Sequence, residues 1–265
     1  MKLSGFKNKT FFITGIANKK SIAFHVANIL KDNGATLIFT AQNEKNLLTI
    51  QKFFPESSSF ILDVEDEAQI SSLPTEIAKR TKSLDGFLHS MAFAQFDLER
   101  AEFHQTSRKD FLQACHISSF SLVEITNALL ELFKPSSSIV TISISNTKAT
   151  SYGYLGPIKA MLENTVCYLA KSLSSHGNIR VNSVGAGPLK TSASAGIPNY
   201  IENYLYSEAL SLRKKSLETA EVANTICFLL SENASGINAE NIIIDNGMNA
   251  NFFDQDIVKT FCKNI

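Results

Sequence analysis

Residues 138–159 read SIVTISISNTKATSYGYLGPIK. The first part, Ile139 to Ile144, is an apolar, β-branched run of strand length. The chain then turns polar and ends on Tyr152 and Lys159, seven positions apart, where helical spacing begins. A strand that stops, a loop carrying a phenol and a helix carrying an ammonium together suit an α/β enzyme, because they place an acid beside a bound group.

Working outward, short apolar runs alternate with amphipathic segments, the pattern of a parallel sheet with helices on both faces. Upstream strands are expected at 10–14, 35–40, 59–62 and 86–90, and downstream strands at 179–184 and 242–245. Ser21 is placed to cap a helix carrying Ile22, Val26, Ile29 and Leu30, and Gly34 ends it. Further helices are expected over 44–53, 66–82, 107–133, from near Lys159 to 174, and 219–230. The long helix 107–133 carries Phe111, Cys115, Leu122 and Leu129, with Pro135 closing it. Pro157 is tolerated only in a first helical turn, so the helix bearing Lys159 should begin close to Gly156 and leave Tyr152 on non-helical backbone. Residues 185–217 form a long insertion, helical near 200–210, of the kind that covers a substrate. The tail from Asn249 has no clear assignment. No repeat or linker divides the chain, so a single domain over 1–265 is expected.

Composition narrows the function. Of 265 residues, 25 are basic and 25 acidic, so the net charge is zero. That disfavours a nucleic-acid binder, which carries a basic excess. No apolar run is long enough to span a membrane. The start, MKLSGFKNKT, lacks an apolar signal core, and a cytoplasmic protein is expected. Cys115, Cys167, Cys227 and Cys262 have no metal-ligand spacing and read as buried, reduced thiols.

In an open parallel sheet, ligands bind beyond the carboxyl ends of the strands. The first strand ends in Gly15, followed by the helix that opens at Ser21, a place where a pyrophosphate is held by free N–H groups. The full G-x-G-x-x-G is missing, so a plain turn is an equal reading. Asp63 is able either to accept from an adenine amino group or to cap the next helix. Gln42 stands where a carboxylate or an arginine usually reads the ribose 2′ position, so the residues alone leave NAD and NADP open.

In order, the chain carries Gly15-x5-Ser21-Ile22-Ala23, Phe39-Thr40-x-Gln42-Asn43, Asp63-Val64, His89-Ser90-x-x-Phe93-Ala94 and Ile117-Ser118-Ser119. Tyr152-x6-Lys159-Ala160-x-Leu162-Glu163, Arg180-Val181-Asn182 and Ala186-Gly187-Pro188-Leu189-Lys190-Thr191 follow. This set closely resembles the NADH-dependent enoyl-acyl-carrier-protein reductases, a divergent branch of the short-chain dehydrogenase/reductases, over about residues 3–250. The Tyr-x6-Lys spacing sets that branch apart from relatives with Tyr-x3-Lys; here Leu155 stands four before Lys159.

The resemblance implies a Rossmann-type three-layer sandwich with seven parallel strands in the order 3-2-1-4-5-6-7, a homotetramer, and NADH-dependent reduction of a 2-enoyl thioester in fatty acid biosynthesis. Tyr152 matches the hydrogen-bond donor to the thioester oxygen, and Lys159 matches the lysine that holds the nicotinamide ribose and favours phenolate character. Cofactor contacts carry over onto Gly15, Ser21, Ile22, Gln42, Asp63 and Val64, and further along onto Ser90, Ala92, Lys159, Leu189 and Thr191. Gln42 goes with NADH rather than NADPH. Phe93 and Ile144 fall on the substrate side, and Tyr154, His89 and His116 match no catalytic position. No metal is implied.

The chain also departs from that pattern. Ile144 replaces an aromatic residue, and the loop to Tyr152 is about two residues shorter. Residues 197–204, IPNYIENY, lack the basic side chains that meet an acidic carrier protein, and Glu202 would repel one. Ala92 replaces a common Gly, and Asn246 interrupts an Asp-Gly-Gly. Two other readings stand beside the first: a reductase of this scaffold with a different enoyl or carbonyl substrate, and a nucleotide-binding protein without turnover.

Overall fold

A computed structural model of the chain describes residues 5–95, 102–191 and 200–262. Its centre is one seven-stranded sheet in the order β3-β2-β1-β4-β5-β6-β7. The strands are β1 (Thr10–Ile13), β2 (Thr36–Ala41), β3 (Ser58–Ile61), β4 (Leu84–His89), β5 (Phe133–Ile144), β6 (Arg180–Ala186) and β7 (Asn241–Ile244). All six pairings are parallel. This is the Rossmann-type order expected.

Strand alternation divides the core into two layers. Phe11, Ile13, Leu37, Phe39, Leu88, Val140 and Val184 point to one face. Their neighbours Phe12, Ile38, Phe87, Ile139 and Val181 point to the other, as period-two side chains must. The first face packs against α1 (Ile22–Asp32), α2 (Glu44–Phe53) and α8 (Thr219–Leu230). The second packs against α3 (Glu67–Ala78), α5 (Ser121–Ala128) and α6 (Leu155–Leu173). Strands covered on both faces read as continuous apolar runs, which is why they were legible.

The expected helix over 107–133 is broken. It becomes α4 (Arg108–Cys115), a π turn at His116–Phe120, α5 and a 3-10 turn at Leu130–Leu132. The π turn lies where Ser118 Oγ accepts from Phe93 N at 2.8 Å and donates to Phe93 O at 2.9 Å. That bond ties the helix to a segment 25 residues earlier, and one-turn widenings of this kind recur at functional sites. Pro135 does not stop a helix; it lies inside β5, where the register to β4 shifts between Leu84 and Gly86. A proline costs no ladder bond at such an irregularity.

The helix α6 starts at Leu155, with Pro157 in its first turn, as the proline requires. Tyr152 closes a short 3-10 turn, Thr150–Tyr152, followed by Gly153 at φ +54°. In the insertion, α7 spans Tyr200–Leu210, and in the tail α9 spans Gln255–Cys262. Asn246 adopts φ +56°, a left-handed conformation that Asn tolerates better than most residues. The cysteines correct an expectation: only Cys227 is buried, Cys115 is half-buried, and Cys167 and Cys262 are exposed. All four are free thiols. Among the described residues, no helix is long and apolar enough to cross a membrane, and no group of acidic, His or Cys side chains is arranged to hold a metal.

Candidate active site

The carboxyl ends of the strands open into a cavity of about 510 Å³. One end is built by the turns after β1 to β4. Gly15, Ser21, Ile22, Gln42, Asp63, Val64, Ser90, Ala92 and Phe93 all line it. At the other end stand Ile144 of β5, Tyr152, Lys159 of α6, Leu189 and Thr191 after β6, and Tyr200 of α7. Every site residue read from the sequence therefore lies on one cavity.

The β1–α1 turn works differently from expectation. Gly15 sits at φ +82°, and a Cβ there would lie 1.6 Å from the Ser90 carbonyl oxygen. Its lack of a side chain lets the turn pack against the end of β4. Ser21 occupies the N-cap position of α1, yet its hydroxyl does not cap the helix. It turns back and accepts from Ala17 N at 3.1 Å and Asn18 N at 3.2 Å. The first turn of α1 has no acidic residue, so its open N–H groups and positive dipole end suit an anion such as a pyrophosphate. Asp63 is not a cap; Asp66 caps α3 by accepting from Ala68 N and Gln69 N. Asp63 accepts from Glu65 N at 3.0 Å and lines the cavity.

At the opposite end, Lys159 is buried, and its Nζ donates to Ile142 O at 2.8 Å. One donated bond leaves further N–H donors that suit a pair of hydroxyls. Burial pushes the ammonium down to about 8, while Glu163, one turn on, pulls the other way. Ser143 donates to Glu163 at 2.6 Å, and Asn241 also bonds its carboxylate. Burial outweighs those bonds and the Lys159 charge, so the Glu163 carboxyl titrates above its usual range.

The Tyr152 phenol is pushed well above its ordinary value, first by burial and then by Tyr200. This overturns the expected phenolate character: removal from water, not the lysine, sets its state. Tyr152 is a neutral O–H donor, and among the described residues that hydroxyl has no hydrogen-bond partner. Tyr154 is engaged elsewhere. It donates to Gln95 O at 2.6 Å and packs against Phe111.

A buried polar chain backs this end. Ser121 donates to Ile117 O, so its oxygen accepts from His89 Nε2–H at 2.9 Å, and His89 Nδ1 accepts from Thr141 at 2.8 Å. Burial, then the Lys159 charge, lowers the imidazole to about 3, and it stays neutral. Sequence reasoning missed Ser118 as the clamp on Phe93, Glu163 as the tether of α6, and Tyr200 as part of the wall. For Tyr200 the only signal was its place at the start of a helical pattern in the insertion.

A parallel Rossmann-type sheet with a neutral phenol and a buried lysine at its carboxyl edge defines a short-chain reductase. The model of the family described as Enoyl-(Acyl carrier protein) reductase matches residues 15–249. The chain is 36% identical over 251 residues to the enoyl-[acyl-carrier-protein] reductase [NADPH] FabI of Staphylococcus aureus, covering 92% of this chain and 98% of that one. It is 33% identical over 245 residues to the NADH-named FabI of Escherichia coli, covering 90% and 93%. The solved enoyl-[acyl-carrier-protein] reductase (NADH) of Aquifex aeolicus superposes with a TM-score of 0.87 at 31% identity, over 92% of this chain and 98% of that chain. The Bacillus cereus enoyl-acyl carrier protein reductase, solved with NADP+ and indole naphthyridinone, gives 0.86 at 32% identity, over 91% and 96%. The chain belongs to the enoyl-(acyl carrier protein) reductase family, and it is an oxidoreductase.

Proposed function

We propose that this protein reduces the 2,3 double bond of an enoyl thioester carried on acyl carrier protein, in fatty acid synthesis, with NADH as the cofactor. The observation that carries the reading is the Tyr152 hydroxyl, a neutral donor with no partner among the described residues, in the same cavity as Lys159. When bound, a reduced nicotinamide supplies the hydride. Negative charge then grows on the thioester oxygen. A fixed phenol donor stabilises that charge more than it stabilises the neutral carbonyl, so it lowers the barrier. Lys159, held by Ile142 O, offers its remaining N–H groups to the ribose and places a positive charge near the same region. Gly15, Ser21 and Ile22 would hold the pyrophosphate, Gln42 the ribose 2′ side, and Asp63 and Val64 the adenine. Ser90, Ala92, Leu189 and Thr191 would contact the rest of the cofactor, while Phe93 and Ile144 would border the acyl chain.

Charge supports the choice of NADH. A 2′-phosphate favours a basic partner, and Lys159 at the far end is the only basic side chain among the described lining residues. The assay is NADH or NADPH oxidation with enoyl thioesters. Wild type is expected to turn over, faster with NADH, and Tyr152→Phe to lose about 10²–10³-fold in kcat while still binding NADH. No turnover by wild type, or full turnover by the variant, would sink the assignment.

A second reading, a different acyl carrier, is favoured by exposed Glu202 near the start of α7; the neighbouring 197–199 lie outside the described residues. Against it, Lys190 sits over the Tyr204 ring at 4.4 Å and supplies a cation beside that helix. Carrier-bound and free pantetheine thioesters compared at equal concentration separate the two. We further propose a homotetramer, in which exposed Leu112, Phe120, Met161 and Tyr168 are covered by neighbouring copies.

A further inference from the structure

Tyr200, the first residue of α7, engages both the N–H and the C=O of one residue, Leu189. Its hydroxyl accepts from Leu189 N at 2.7 Å and donates to Leu189 O at 2.8 Å. Leu189 is buried just beyond β6, and both residues line the cavity at the Tyr152 end. Tyr200 and Tyr152 both line this end of the cavity, and Tyr200 adds to the upward push on the Tyr152 phenol.

A backbone N–H and C=O presented together into a cavity offer one donor and one acceptor. A primary carboxamide carries the matching acceptor and donor, and nicotinamide bears such a group on the ring that transfers hydride. In this chain the pair is already filled by a phenol, which alone among uncharged ring side chains both accepts and donates through one atom. Leu189 O also accepts from Thr191 N at 3.0 Å, but the Leu189 N–H makes one bond, so a ligand group can take it only by displacing the phenol, and the buried N–H is not left unpaired in the meantime.

We propose that the Tyr200 hydroxyl is an internal stand-in for the cofactor's carboxamide: it occupies the Leu189 donor and acceptor until the nicotinamide takes them, and thereby sets the affinity of that end of the site. This rests on the reading of the cavity as a nicotinamide-nucleotide site. It makes Tyr200 a positioning and affinity-setting residue rather than a catalytic one. It also links the start of α7, on the acyl side, to occupancy of the nicotinamide end.

The test is calorimetric titration of wild type and Tyr200→Phe with NADH and, separately, with ADP-ribose, which lacks the nicotinamide ring. The phenylalanine keeps the ring and removes only the competing hydroxyl. The expected result is a three- to tenfold tighter NADH Kd in the variant, about the worth of the displaced hydrogen bonds, with ADP-ribose affinity unchanged. Unaltered ADP-ribose binding also certifies that the variant is folded. NADH affinity that stays the same or weakens overturns the proposal. Equal changes with both ligands overturn it as well, because the effect would then not be at the carboxamide. If wild type binds neither ligand, the nucleotide-site reading itself falls, and the proposal with it.

Discussion

Ser143 on β5 donates its hydroxyl to the Glu163 carboxylate on α6 at 2.6 Å, while Lys159, four residues earlier on the same helix, donates to Ile142 O of the same strand at 2.8 Å. The helix is thus pinned to the strand end by two polar contacts one turn apart. Asn241 of β7 also bonds Glu163 and accepts from Ser183 of β6 at 2.9 Å. The lysine's position and its charge are both set from this corner.

Replacing Glu163 by Gln keeps the shape and removes the negative charge. The groups that act on the Lys159 ammonium are the Glu163 carboxylate, which favours the charged form, and His89, which is neutral. Without the carboxylate the ammonium loses its proton more readily. Wild-type kcat/KM should fall as pH rises through about 8, the Lys159 value, and in Glu163→Gln the fall should begin at lower pH. Superimposed alkaline limbs would refute the role of Glu163.

Burial of Lys159 has a stability signature. Its value is 10.5 when exposed and about 8 in the fold. Between those values the unfolded chain holds a proton that the folded chain has released, so stability rises with pH across that window. Below about pH 8 the folded state carries the full cost of the buried charge, on the order of 3 kcal/mol. Lys159→Met should therefore be more stable than cofactor-free wild type at pH 7. The gap should narrow by pH 10, as measured by urea denaturation at both values. A gap independent of pH would contradict this.

Gly15→Ala places a methyl into the Ser90 carbonyl at a left-handed φ of +82°. The conformation alone costs about 1–2 kcal/mol, and the displaced backbone adds about 1–3 kcal/mol. A drop in melting temperature of roughly 5–12 °C is expected, together with weaker cofactor binding. A variant that melts with wild type would show that the turn relaxes freely.

Much of the fold was legible because the strands are buried on both faces. Runs such as Thr10–Ile13 and Thr36–Ala41 announce themselves as apolar and β-branched, and their boundaries moved by only a residue, whereas β5 starts six residues before the expected Ile139. Tyr152 and Lys159 were legible because their spacing is local. The break in the helix over 107–133 was not: its π turn carries Ser118, whose bonds with Phe93 join segments distant in the chain. The protonation of Tyr152 was not, since it depends on how much water surrounds the phenol.

The sequence by itself therefore determined the order of elements, the phenol and the ammonium, and the residues that meet at the strand ends. Periodicity along the chain is enough for the first, and the family resemblance supplied the site residues. Only the tertiary structure decided what each group does there. It made Gly15 a packing contact, turned Ser21 away from its helix, set Glu163 beside Ser143, and put the Tyr200 hydroxyl on Leu189. Hydrogen bonds and desolvation act between atoms that are close in space, and the segment 138–159 acquires its chemistry from neighbours as distant in the chain as residues 89, 200 and 241.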